Sequence, residues 1–391
     1  MKLEECMQNE GHSMTNLKPQ SAYSAYSAYS AYSAYSAYSA YSAYSAYGGG
    51  PGLPVAPFVA PALITNRDGI VGPWTPPGTP PAPLPENDPG NLDRWSAAVR
   101  ESLCSFELVS RIGFSMDGGQ ADVWHLDTTA QPGAAPTASY LPLMRMRRPT
   151  PDQFLEQLVY LETYADLRQD RWIEIEAQID LPTAFFGSIG FLDPSRTKYT
   201  YELVLAALNL AHFVEMRLKH ALACKRPVEY SPQVQPIIPT PLHGTLPSGH
   251  ATEAHVAATV LDRIWAASGN PTYADPGWRA QAFRQAARIA INRTVAGVHF
   301  PVDSAAGASL GMTLGAYFTA RATGQAYDAW SFDGQDFEGD FQPEQMFDVA
   351  TGQQTAVAAT ADLGPQAPGA EGRSPILGWL WDRAIAEWQA V

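Results

Sequence analysis

Three short polar motifs, each at the junction of a long helical segment, constrain this chain more than any other feature. Residues 195–224, 251–267, 278–295 and 302–321 read as helices. At the end of the first stand Lys219 and, after six residues, Arg226-Pro227. Pro247-Ser248-Gly249-His250 opens the second helix. Asn292-Arg293, His299 and Asp303 join the third to the fourth. Further helices are expected from Asp93, from a Thr150-Pro151-Asp152 start running to about Ile179, and over residues 376–390. Residues 113–140 are irregular, with room for a hairpin, and residues 324–373 form an acidic, glycine-rich excursion. The expected class is therefore all-α, a helical bundle.

Each motif has a chemical reading and a plain one. Seven residues span about two helical turns, so Lys219 and Arg226 are expected on one face ahead of the Pro227 stop, aiming two cations at one spot. Arginine grips an oxyanion through paired hydrogen bonds and lysine adds a point charge. Two basic residues near a helix C-terminus also simply meet the dipole. The Ser248-Gly249 turn offers backbone N–H groups and a positive helix end to an anion, with His250 beside it for proton transfer; Ser-Gly-His is equally an ordinary helix cap. Asp303, four residues after His299, can take the proton of the imidazole nitrogen facing away from substrate, leaving the other nitrogen as nucleophile or metal ligand. An isolated His near an Asp also serves as a turn cap.

In this order and spacing, Lys-x6-Arg-Pro, Pro-Ser-Gly-His and Arg-x5-His-x3-Asp resemble the signature of the type 2 phosphatidic acid phosphatase/vanadium haloperoxidase superfamily, over roughly residues 150–325. Asn292 departs from the serine that many phosphatases place before the arginine. The resemblance implies a helical bundle of the acid phosphatase/vanadium haloperoxidase type. It also implies an oxyanion cage of Lys219, Arg226, Arg293, Ser248 and Gly249, with His250 as acid/base. His299 would attack phosphorus in a phosphatase or ligate vanadium, held as vanadate, in a haloperoxidase.

His243, seven residues before His250, resembles the second histidine of the vanadium bromoperoxidases, which makes these the nearest in pattern; it is equally a loop histidine with no role. The expected activity is a vanadium-dependent haloperoxidase, most simply a bromoperoxidase, using hydrogen peroxide, a halide and a small organic acceptor. The alternative is a phosphatase that cleaves phosphomonoesters through a phosphohistidine. His212, His220 and His255 read as structural, Lys225 as pointing away from the cage, and Trp330, Trp379 and Trp381 as packing for the last helix.

The remaining sequence sets limits. Residues 21–47 are nine copies of Ser-Ala-Tyr, and residues 1–50 read as a low-complexity tail whose three-residue period fits neither strand nor α-helix. Residues 51–90 are dense in proline and glycine and read as an extended arm, leaving 91–391 as the catalytic domain. A formal net charge of -14 argues against a nucleic-acid partner. Cys6, Cys104 and Cys224 are too scattered for a disulfide framework or a zinc site. Neither a membrane span nor a signal peptide is legible, so a cytoplasmic location is expected. The arm would suit exchange within a homo-oligomer.

Overall fold

The computed structural model describes residues 59–389 apart from 76–77, 130–132, 181 and 368–371. The Ser-Ala-Tyr repeat lies outside the described residues. The expected extended arm contains a helix, α1 (Val59–Ile70). Its one internal proline, Pro61, falls in the first turn, where a missing N–H costs nothing.

The expectation of an all-α fold is wrong: the described residues include a five-stranded mixed sheet and a separate two-stranded one. After α2 (Ala97–Val109) come β1 (Ile112–Asp117), β2 (Gln120–Thr129) and β3 (Thr137–Arg147), paired antiparallel in sequence. The alternation in β2 was hidden because its buried face is Ala121, Val123, His125 and Asp127, half of it polar. His125 Nδ1 lies 2.9 Å from the Tyr317 hydroxyl, a contact that lets an imidazole occupy a core-facing strand position.

The run expected as one helix from Thr150 is three: α3 (Pro151–Glu156), α4 (Leu158–Ala165) and α5 (Arg168–Ala177). Thr150 does cap its start, with Gln153 closing a capping box. Tertiary hydrogen bonds accompany both breaks. Gln157 Oε1 accepts from the Val302 N–H, and Arg168 donates to the Val295, Gln235 and Val234 carbonyls.

There follow α6 (Thr183–Gly190), α7 (Lys198–Leu222), α8 (Pro227–Tyr230), α9 (Gly249–Ser268), α10 (Pro276–Val295) and α11 (Pro301–Thr323). The excursion after α11 holds β4 (Tyr327–Asp333), α12 (Pro343–Met346), β5 (Phe347–Asp348), β6 (Gln353–Gln354) and β7 (Thr360–Gln366) before α13 (Pro375–Gln389). β4 lies parallel to β3, with Met144 opposite Trp330, and antiparallel to β7. Trp330 therefore lies in the sheet, on β4. Trp379 and Trp381 belong to α13, and Trp379 meets the Tyr199 ring edge-on at 5.7 Å. Among the described residues no helix is long and apolar enough to cross a membrane.

α9 and α11 form the centre, buried on nearly every side. Small residues let their backbones approach. A Cβ at Gly307 would lie 2.6 Å from the Ser248 carbonyl oxygen, and one at Gly315 would lie 2.6 Å from Thr259 Cβ. Between them, a Cβ at Gly311 would collide with the Thr252 carbonyl oxygen. Because backbone cannot step aside as a flexible side chain does, Gly311→Ala is expected to destabilise the fold by about 1–3 kcal/mol. Urea denaturation measures this; an unchanged midpoint would show that the two helices separate freely.

Candidate active site

α7 ends at Leu222, its last turn closed by Ala223 in the left-handed conformation. Arg226 is thus not on the α7 face expected for it; it sits extended at the head of α8, its own N–H bonded to Glu229. The two cations nevertheless converge, through a bend and not through helical period. Lys219 Nζ donates to the Thr245 and Pro247 carbonyls. The Arg226 guanidinium donates to the carbonyls of His243 and Val298 at 3.0 and 2.8 Å, and its Nη1 lies 3.0 Å from His299 Nε2.

His299 follows the turn after α10, and the bonds around its ring identify its tautomer. Arginine only donates, so Nε2, facing Arg226, carries the lone pair and Nδ1 the proton. Nδ1 lies 3.1 Å from Asp303 Oδ2 and 3.2 Å from the Thr245 hydroxyl. Asp303 Oδ2 also accepts from that hydroxyl and from the Phe300 N–H. Burial, then the charges of Arg226 and Lys219, hold the imidazole well below its ordinary pKa; burial raises Asp303 to about 6 despite its hydrogen bonds.

Ser248 is the N-cap of α9: its hydroxyl accepts from the Ala251 N–H, while its own N–H donates to the Asp303 carbonyl at 2.9 Å. This ties the α9 N-terminus to the first turn of α11. Gly249 opens the helix, and a Cβ there would sit 2.6 Å from Glu215 Oε1. The His250 imidazole bonds to the backbone of Gln178 and Ile179, leaving Nε2 buried without a partner. Burial and the nearby Arg293 charge push its pKa down to about 3.

Arg293, in the last turn of α10, is 1% exposed. Its Nη2 donates to the Ile175 carbonyl and to Gln178 Oε1, but Nε and Nη1 are buried with no partner. Asn292 holds the same Gln178 from the other side, Nδ2 to Oε1 at 2.9 Å, so the departure from serine is put to use in orienting Arg293. Burial lowers Arg226 and Arg293 to about 10. Desolvated cations and orphaned donors thus share one buried cluster, the cage.

His243 is at the edge of this arrangement. Its Nδ1 lies 3.1 Å from both Arg226 Nη2 and the Gly244 carbonyl oxygen, and burial with the Lys219 and Arg226 charges lowers it to about 2. Lys225 is exposed and outside the cage. His255 is a satisfied core residue, Nδ1 to the Ala251 carbonyl at 2.7 Å. His220 is exposed, not a core position, and His212 lies beside Glu215 and Glu253. Sequence reasoning passed over Thr245, Gln178 and that pair of glutamates. Thr245 lies inside the segment between His243 and His250, where its place in the motif was the available signal; Gln178 comes from a distant helix and had none.

The cage generates a pH dependence. Burial, followed by the Arg226 charge, depresses the Lys219 ammonium to about 8. A bound dianion favours the charged form, so affinity is full below that value and falls as pH rises through it. Sulfate is a clean probe because its charge is constant in this range. Calorimetric titration between pH 7 and 9.5 should show sulfate affinity falling above about pH 8, and Lys219→Met should flatten the profile; a flat wild-type profile would remove Lys219 from the cage.

No curated protein matches this chain. A solved structure, the transmembrane PAP2-type phosphatidylglycerolphosphate phosphatase from Bacillus subtilis, is similar at 18% identity, over 41% of this chain and 92% of that one, with a TM-score of 0.26. The PAP2 superfamily description matches residues 200–325, a span that contains Lys219, Arg226, His243, Ser248, Gly249, His250, Arg293, His299 and Asp303. This chain carries a PAP2 superfamily domain at residues 200–325.

Proposed function

We propose that the protein is a PAP2-type phosphohydrolase that cleaves phosphomonoesters through a phosphohistidine on His299. The observation that carries this reading is the buried pair of unpartnered Arg293 donors, whose charge acts on His250, itself close enough to act on His299. A phosphoryl group supplies negative charge and the acceptors. Lys219, Arg226 and Arg293 bind its nonbridging oxygens, with the α9 N-terminus at Gly249 adding its backbone N–H.

His299 Nε2, kept unprotonated by the Nδ1–H···Asp303 bond, attacks phosphorus while the ester P–O bond breaks. His250 is neutral in the unliganded protein. The negative charge of a bound dianion raises its pKa, so it arrives protonated and gives that proton to the leaving alkoxide. In the second step neutral His250 takes a proton from water, whose oxygen displaces His299 and releases inorganic phosphate.

His243 favours a second reading, because hydrolysis assigns it no task although it lies against a cage arginine. The same donors fit vanadate, another tetrahedral oxyanion, held by Lys219, Arg226 and Arg293 with His299 Nε2 as its ligand. Vanadate would supply Lewis-acid activation of hydrogen peroxide toward a halide.

A paired assay separates the two. Hydrolysis of p-nitrophenyl phosphate that vanadate inhibits, without bromination of a phenol dye by bromide and peroxide, is the expected result; vanadate-dependent bromination without hydrolysis would replace the phosphatase reading. His250→Ala should lower the hydrolytic kcat by ~10²–10⁴-fold. His299→Ala should abolish the acid-labile phosphoprotein seen on rapid quenching, and a phosphoprotein that persists in that variant would move the nucleophile elsewhere.

A further inference from the structure

One helical turn before Lys219, α7 presents Glu215 and, three residues earlier on the same face, His212; across from them α9 presents Glu253. One ligating atom from each of the three lies within 4.8 Å of the others. Glu215 is 1% exposed and Glu253 9% exposed, while His212 is only partly buried. Glu215 Oε2 is buried with no hydrogen-bond partner. Lys219, whose charge acts on both carboxyl groups, makes its hydrogen bonds to the Thr245 and Pro247 carbonyls and not to them. Two carboxyl groups and an imidazole therefore meet inside the protein, and among the described residues no ion pair within salt-bridge distance joins them to a base.

Burial of a carboxylate without a directly bonded counter-charge is costly, and proteins meet the cost by protonation, by an ion pair or by a metal. The donor set here suits the last. Histidine nitrogen and carboxylate oxygens on facing helices are the usual materials of a metal site within a helical bundle. Donors at about 2.0–2.2 Å from an ion can stand up to roughly 4.4 Å apart, so the observed spread closes with a small side-chain adjustment. The imidazole selects against magnesium, which prefers oxygen and water, and the absence of thiolate selects against soft ions.

We propose that His212, Glu215 and Glu253 form a site for one divalent transition-metal ion, zinc or manganese. The ion ties α7 to α9 one turn from the two features those helices contribute to the cage, Lys219 and the Ser248-Gly249 turn. It holds the scaffold and takes no part in the chemistry at His299. The site stands whether the cage acts on phosphate esters or holds vanadate.

The test uses the full chain, stripped with EDTA and titrated by calorimetry with zinc chloride or manganese chloride alone, beside melting curves. The expected result is one ion per chain with a rise in Tm. Glu215→Gln and Glu253→Gln should each weaken binding by about 10-fold or more. The double substitution keeps the shape, removes two buried charges and should stay folded by circular dichroism while losing both the binding and the Tm response. Failure of the stripped protein to bind an ion, or binding unchanged in the variants, overturns the proposal. A Tm that rises with acid and ignores metal also overturns it, since the two carboxyl groups would then be sharing a proton.

Discussion

The close approach of α9 and α11 is the constraint on which the site depends. Glycines at 307, 311 and 315 recur every four residues, so all three face α9. Without side chains between them, the helix backbones come near enough for the Ser248 N–H to reach the Asp303 carbonyl. That bond joins the N-terminus of α9 to the first turn of α11, next to the turn carrying His299. Any residue larger than glycine would separate the Ser248-Gly249-His250 turn from His299 and Asp303.

Around this contact the cations of the site are held mainly by neutral acceptors. Asp303 serves His299, Thr245 and the Phe300 N–H, while Gln178 and backbone carbonyls, not acids, hold Arg293 and Arg226. Neutral acceptors orient a guanidinium without cancelling its charge. Under the proposed reading, such buried guanidinium groups held by neutral acceptors meet the electrostatic condition for stabilising a charged transition state. A chain with a net charge of -14 can still hold such a site because field strength at a buried point is set by its immediate neighbours.

The cage also recruits parts of the chain beyond residues 200–325. Gln157 accepts from the N-terminal turn of α11, Arg168 reaches the end of α10, and Gln178 links Asn292, Arg293 and the region of His250. The breaks that divide residues 151–177 into three short helices fall where these contacts are made. A continuous helix would carry those side chains past their partners.

By itself the sequence determined the helices around the motifs, to within a few residues at each end, and singled out polar residues that the fold brings close together. Helical runs, prolines and caps are local, so 198–222, 249–268, 276–295 and 301–323 could be read directly. Tertiary structure decided what depends on distant partners. The β1–β2 hairpin falls where the sequence leaves room for one, but the full sheet was not legible, because β2 hides its alternation behind inward-facing His125 and Asp127 and β4 finds its parallel partner β3 far along the chain. Arg226 reached the cage through a bend after α7 and not along its face, since the left-handed turn at Ala223 ends the helix before the predicted period could act. His212, Glu215 and Glu253 look unrelated along the chain, because only the packing of α7 on α9 brings their ligating atoms together.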